Sequence, residues 1–130
     1  MEFVRAIIKD KNEKILMIYN AKFDHWNFPG GKMEEGESPP EAVARETKEE
    51  VNLNLENIAL LFADDVYFKK PDAAWRGYFF AADADLADLK LNEPDKVTRA
   101  EFLTFDEIAR IPNLSESVRV WIRKRNDEPG

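Results

Sequence analysis

Cysteine is absent from this 130-residue chain, histidine occurs once, as His25, and glycine only five times. Without cysteine there can be no disulfide, no thiolate metal site and no cysteine nucleophile. A lone histidine leaves too few nitrogen ligands for a zinc site. The lack of disulfides fits a reducing compartment. Long apolar runs are also missing: the longest plain one covers residues 58–63, IALLFA, far short of a membrane span. Glu2, Arg5, Lys9 and Asp10 interrupt the N-terminus, so no signal peptide is expected. There is no internal repeat, no low-complexity segment and no Gly/Ser linker. These absences lead us to expect one domain over residues 1–130, soluble and cytoplasmic, with no membrane partner.

Positive charge is scarce too. The net charge is −7, and no basic stretch of any length is present, so a nucleic-acid partner is not expected. Arg119, Arg123, Lys124 and Arg125 cluster near the C-terminus and read as a solvated helix face that complements the helix dipole. An acidic protein that binds a phosphorylated substrate needs cations or a few well-placed basic groups. That condition points to metal.

Residues 3–9 and 14–19 read as strands. Asp10-Lys11-Asn12-Glu13 between them supplies turn chemistry, which predicts a hairpin. Residues 20–26 read as a loop, followed by the sharp turn Asn27-Phe28-Pro29-Gly30-Gly31. The clearest local signal is a helix over about 39–52: Ser38 as N-cap, Pro39 at the first position and Glu41 completing a capping box. Its weakly apolar residues, Ala42, Val43, Thr47 and Val51, fall at helical spacing. Residues 58–68 predict one or two strands and 73–82 another, joined through Lys69-Lys70-Pro71-Asp72. Segment 83–96 is polar with a weak apolar repeat. A last strand is predicted at 98–104, a short helix at 105–110, a break at Pro112 and Asn113, a final helix capped by Ser115, and a frayed tail over 126–130. Strands interspersed with three helices imply an α/β fold, a mixed sheet with helices on both faces.

Chemistry concentrates in residues 30–53. Glu46 and Glu50 are four apart on the predicted helix and Glu49 is three from Glu46, so the three carboxylates share one patch. Each like-charged i,i+4 pair costs about 0.2–0.5 kcal/mol in an isolated helix, and a multivalent cation removes that cost. Carboxylates are hard ligands, suited to magnesium or manganese. Arg45 stands four residues from both Glu41 and Glu49 and can orient Glu49. Glu-rich helix faces are commonly solvated surface. The double glycine, the fixed-length loop and Glu37 ahead of the cap are what a surface helix does not need.

These residues resemble the Nudix box, G-x5-E-x7-R-E-U-x-E-E-x-G-U, where U is a bulky aliphatic. Gly31, Glu37, Arg45-Glu46, Glu49-Glu50 and the closing Leu53 match at the correct spacing. The six charged or glycine positions alone coincide by chance in roughly one window in ten million. Thr47 stands where the box has an aliphatic, and Asn52 where it has a glycine. Thr47 is expected to face the core through its methyl, and asparagine tolerates the left-handed backbone of a helix C-cap. The lead-in Trp26-Asn27-Phe28-Pro29-Gly30-Gly31-Lys32 resembles that of MutT-like members, and 100–108 resembles the family's late strand and helix start.

The resemblance implies the Nudix α/β/α sandwich with a central mixed sheet, and hydrolysis of a nucleoside diphosphate linked to another group. By the same resemblance Glu46, Glu49 and Glu50 would hold magnesium or manganese, with the Gly31 carbonyl as a backbone ligand. Arg45 would orient the glutamates. Glu46 or Glu50 would be the base. Glu37 would support the loop or an outer-shell water on the substrate side, and Lys32 would contact a phosphate. Near Lys96, where relatives carry a further acidic residue, Glu93 or Asp95 would substitute. Trp26 and Trp75 are candidates for base stacking and also for core packing. Arg76 is a candidate for a phosphate or ribose. Trp121 reads as packing and His25 as an ordinary loop residue.

The substrate expected is a small nucleotide, foremost a nucleoside triphosphate or oxidised dNTP. The alternatives are ADP-ribose, a nucleotide sugar or a dinucleoside polyphosphate, and a module that binds nucleotide without cutting it. The chain is expected to act as a monomer or homodimer.

Overall fold

A computed structural model describes residues 1–127. The elements run β1 (Glu2–Ile8), β2 (Ile15–Asn20), β3 (His25–Asn27), β4 (Gly30–Lys32), α1 (Pro39–Val51), β5 (Glu56–Phe68), β6 (Ala73–Asp83), β7 (Val97–Leu103), α2 (Phe105–Ala109) and α3 (Glu116–Asn126), with a 3-10 turn at Leu86–Asp88. The expected tail over 126–130 falls largely outside the described residues; Asn126 itself closes α3.

The strands form two sheets. One is mixed, in the order β4-β1-β6-β5, and the other, β3-β2-β7, is antiparallel. β1 runs parallel to β6 and antiparallel to β4. Its alternation divides the interior. Val4, Ala6 and Ile8 join Ala42, Val43 and Val51 of α1 in one core, while Phe3 and Ile7 join Ile108 of α2 and Val118 and Trp121 of α3 in the other. Helices thus cover both faces, as the α/β/α reading expected. Each fully buried large apolar side chain contributes about 1.5–3 kcal/mol.

The predicted hairpin of the first two strands is corrected. The turn is there, with Asp10 Oδ1 accepting from the amides of Asn12 and Lys14 at 2.9 and 3.0 Å. Only one bridge, Lys9 to Ile15, joins the strands before they part into different sheets. Both are apolar at nearly every position, so each has two faces to bury and takes two neighbours in its own sheet. The predicted loop 20–26 is also corrected at its end, where the three-residue β3 pairs with β2. A strand that short carries no readable periodicity.

Helix α1 begins and ends as expected. The Glu41 amide donates to Ser38 Oγ at 3.3 Å and the Ser38 amide to Glu41 Oε1 at 3.0 Å. Asn52 closes it at φ 64°, ψ 21°. Segment 83–96 forms little regular structure because it serves α1. The amides of Lys90 and Asn92 donate to the carbonyls of Val51 and Glu50 at 3.0 Å, and Asn92 Nδ2 donates to Lys48 O at 3.1 Å. Orphan carbonyls at the helix end are thereby satisfied, and Glu93 is carried to the neighbourhood of Glu50. Among the described residues no helix is long and apolar enough to cross a membrane.

Candidate active site

The glutamates are placed by the meeting of α1 with the edge strand β4. The amide of Gly30 donates to Glu50 Oε1 at 2.8 Å. Gly30 sits at φ 151°, and a Cβ there would run into the Val4 carbonyl. At Gly31 a Cβ would lie 2.6 Å from the carboxylate of Glu46. Gly31 thus lets the strand backbone approach the Glu46 carboxylate, while Gly30 lets it lie close against β1.

Arg45 organises the near side. Its Nε donates to Glu37 Oε2 at 2.6 Å and one terminal nitrogen to Glu37 Oε1 at 2.9 Å, a two-pronged contact. It also donates to the Lys32 carbonyl at 3.2 Å, to Glu46 Oε1 at 3.1 Å and to Glu49 Oε2 at 3.3 Å. The Arg45 hydrogen bonds, with that of the Glu34 amide, hold the Glu37 carboxyl down to about 2. Glu37 above all, and then Glu46, hold the Arg45 guanidinium protonated far above neutral pH.

The deeper carboxylates behave oppositely. Burial raises Glu46 despite Arg45, and burial pushes Glu50 up to about 7 against the Gly30 amide and Arg5. Arg5 on β1 pairs in register with Gly30. It donates to the Phe28 carbonyl at 3.3 Å, its guanidinium lies 5.5 Å from the Phe3 ring centroid, and its Nε is sealed from solvent without a partner.

Glu46, Glu49 and Glu50 all line a cleft of about 540 Å³, together with Gly30, Gly31, Lys32 and Glu93. Arg5, Lys22, Lys32, Lys70 and Lys96 supply five cationic side chains to its walls. Set against Glu46, Glu49, Glu50 and Glu93, they bring the lining close to charge balance in a chain of net charge −7, so the cleft is less hostile to an anion than the chain as a whole. Among the described residues no three acidic or imidazole side chains converge as a ready-made cage. Arg45 lies between Glu46 and Glu49, and Glu50 turns to the Gly30 amide.

Several sequence-level candidates separate here. Glu93 lines the cleft and Asp95 does not; Lys96 lies 3.8 Å from Glu93. Glu37 does not line the cleft, and both its oxygens are taken by Arg45. Trp75 lines it, with Lys32 Nζ 5.9 Å from its ring centroid, whereas Trp26 and Trp121 are buried in the core. Arg76 lies 3.6 Å from Asp65, off the cleft. At the C-terminus Lys124 pairs with Asp64 at 2.9 Å, and the Arg125 guanidinium covers Phe105 and Trp121, so that basic face is partly engaged.

Sequence reasoning assigned no role to Arg5, Phe23 or Asn27 and read His25 as ordinary; all four line the cleft. Burial and the nearby Arg5 keep His25 below its usual range. One signal was legible: a charged residue inside the apolar run of β1.

A family model described as NUDIX domain matches residues 3–124. The chain belongs to the Nudix hydrolase family. The Nudix chain is 33% identical over 90 residues to the 8-oxo-dGDP phosphatase of Danio rerio, covering 67% of this chain and 26% of that protein. It is 32% identical over 76 residues to the 8-oxo-dGTP diphosphatase of Proteus vulgaris, covering 55% of this chain and 66% of that protein. The MutT NUDIX hydrolase from Burkholderia pseudomallei superposes with a TM-score of 0.80 at 25% identity, covering 94% of this chain and 95% of that one. The Nudix chain spans about a quarter or less of the length of the first curated relatives it matches. Its MutT-like character, read first from the lead-in around Gly30 and Gly31, extends to the whole fold.

Proposed function

We propose that this Nudix chain hydrolyses the phosphoanhydride of a small nucleoside diphosphate derivative, foremost a nucleoside triphosphate or oxidised dNTP, with magnesium or manganese. The observation that carries the reading is the placement of Glu46, Glu49 and Glu50 along one wall of a cation-lined cleft, with the backbone of Gly31 against Glu46. Two curated relatives named for oxidised guanine nucleotides support the substrate class.

The donor set fits a hard divalent cation. Its side chains offer only carboxylate oxygens, two of them in partly buried residues whose ionised forms burial disfavours. With Gly31 packed against the Glu46 carboxylate, its backbone carbonyl would supply a further oxygen ligand. Glu46, Glu49 and Glu50 would hold the ion; when bound, it neutralises charge on phosphate oxygens and acidifies water.

The chain's own groups do the rest. Lys32 and Lys96 draw in the polyphosphate. Arg45 fixes Glu46 and Glu49, and Glu37 and the Lys32 carbonyl fix Arg45. Water attacks one phosphorus as the bond to the bridging oxygen breaks. Glu50, with Oε1 held by the Gly30 amide and Oε2 free, and Glu46 are the carboxylates placed to take the water's proton. Positioning and electrostatics supply most of the acceleration.

The test is a screen with and without magnesium over dNTPs, oxidised dNTPs, ADP-ribose, nucleotide sugars and dinucleoside polyphosphates, with both products weighed by mass spectrometry. Magnesium-dependent release of a nucleoside monophosphate or diphosphate is expected. Binding of these nucleotides without cleavage of any would overturn the hydrolytic reading.

A further inference from the structure

The hydrolytic chemistry leaves one charged residue of the cleft without a part, Arg5. It stands on β1, an inner strand between β4 and β6, and its neighbours Val4 and Ala6 are fully buried. A charge in such a place costs free energy unless it is paired. Among the described residues the guanidinium has one hydrogen-bond acceptor, the Phe28 carbonyl at 3.3 Å. Its Nε is sealed from solvent with no partner. Packing alone does not account for an arginine here.

What accounts for it is the carboxylate patch beside it. Arg5 pairs in register with Gly30, whose amide holds Glu50. The two backbones lie so close that a Cβ on Gly30 would stand 3.0 Å from the Arg5 Cα. Gly31, next along β4, lies against Glu46. Arg5, Glu46 and Glu50 all line the cleft. Burial lowers the pKa of the guanidinium, and Glu50, then Glu46, work against that. The two arginines divide the acids between them. Arg45 binds Glu37, Glu46 and Glu49 directly, and Glu50 is left to the Gly30 amide and the charge of Arg5.

We propose that Arg5 is a resident counter-cation of Glu46 and Glu50, which offsets their charge in the metal-free chain and weakens the binding of a divalent cation to the patch. The proposal rests on the reading of that patch as a metal site and adds how tightly the free chain holds the ion. A guanidinium keeps its proton in a protein, so its charge remains when a cation arrives. Like charges repel most strongly where water is excluded. The phosphate oxygens of a nucleotide can face ion and guanidinium together and relieve that repulsion. Metal and polyphosphate therefore each bind better in the other's presence, and such coupling is reciprocal. Alone, the chain holds the ion weakly; with a nucleotide in the cleft it holds both.

The test measures manganese(II) binding to the whole chain without nucleotide at a pH of about 8. Electron paramagnetic resonance reads the free ion, and circular dichroism checks each variant's fold. Arg5→Gln keeps a donor for the Phe28 carbonyl and loses the charge, so it should bind manganese at least about tenfold more tightly than the parent. Arg5→Lys keeps the charge and loses the planar fork, so it should stay within about threefold of the parent. Arg5→Met, also neutral, carries the test if Arg5→Gln does not fold. A role in shape alone would move the lysine variant as much as the neutral ones. Binding by the neutral variants that is no tighter than the parent's, or undetectable throughout, overturns the proposal, as does a lysine variant that tightens as they do; hydrolysis then stands on its own screen. Tighter binding by the neutral variants of a chain that cleaves no nucleotide overturns hydrolysis and leaves the proposal standing.

Discussion

Gly31 and Glu46 fit together only because Gly31 has no side chain: a Cβ would stand 2.6 Å from the Glu46 carboxylate. The obstacle is the far end of a flexible side chain, so it can move. Gly31→Ala should therefore fold with a melting temperature close to the parent's while displacing Glu46, lowering magnesium-dependent turnover at least about tenfold. Gly30→Ala should behave differently. Its Cβ meets the backbone of Val4 at a positive φ, so stability should fall by about 2 kcal/mol or more. Thermal melts and turnover of both variants check this; full activity in Gly31→Ala would count against the site.

Thr47 is fully buried and its Oγ1 has no partner. The methyl does face the core, as the sequence implied, but the hydroxyl went in with it. Thr47→Val removes the unsatisfied oxygen at constant shape and should stabilise the protein by on the order of 1 kcal/mol. Denaturant unfolding measures it, and a loss of stability would refute the argument.

Arg45 grips Glu37 with two nitrogens, and lysine cannot reproduce that fork. Arg45→Lys should lower turnover by roughly 10–100-fold with secondary structure unchanged. Because both residues act through one contact, adding Glu37→Gln to Arg45→Lys should cost little more than Arg45→Lys alone. Additive losses in the double variant would separate them.

Glu50 titrates at about 7 in the folded chain against an ordinary 4.5. Between those values the folded state holds a proton that the unfolded state has released. Stability without metal should therefore fall as pH rises from about 4.5 through 7. Glu46 is shifted the same way. Glu37, held at about 2, contributes above 4.5 and loses its contribution as pH falls through 2, outside this window. Melting temperatures from pH 5 to 8 in chelator should decline, and Glu50→Gln should flatten the slope without abolishing it. Parallel slopes would remove the burial argument.

The direct test of the carboxylate assignment is Glu49→Gln and Glu50→Gln. Each should cut magnesium-dependent phosphate release at least about a hundredfold while circular dichroism stays unchanged. Near-parental turnover in both would falsify the assignment.

The sequence showed α1 with its caps, the carboxylate patch and most strand positions, because capping, helical spacing and apolar runs are local signals. Partnering was not local. Whether β1 meets β2 or β6 depends on how many faces each strand must bury, and the turn at Asp10 looks the same in either case. The site divided along the same line. Glu46, Glu49 and Glu50 were legible from spacing on one helix, whereas Arg5, His25 and Asn27 reach the cleft from β1 and β3 only once the two sheets pack. Glu93 and Asp95 could not be told apart until the segment around Lys90 and Asn92 was seen docked on the end of α1.

Strand β4 is the outer strand of its sheet, and outer strands ordinarily offer a ladder on which a foreign chain can assemble. Here the Gly30 amide is already spoken for by Glu50, and helix α1 packs against that border. The contact that places Glu50 thus also blunts an edge on which a foreign strand could pair.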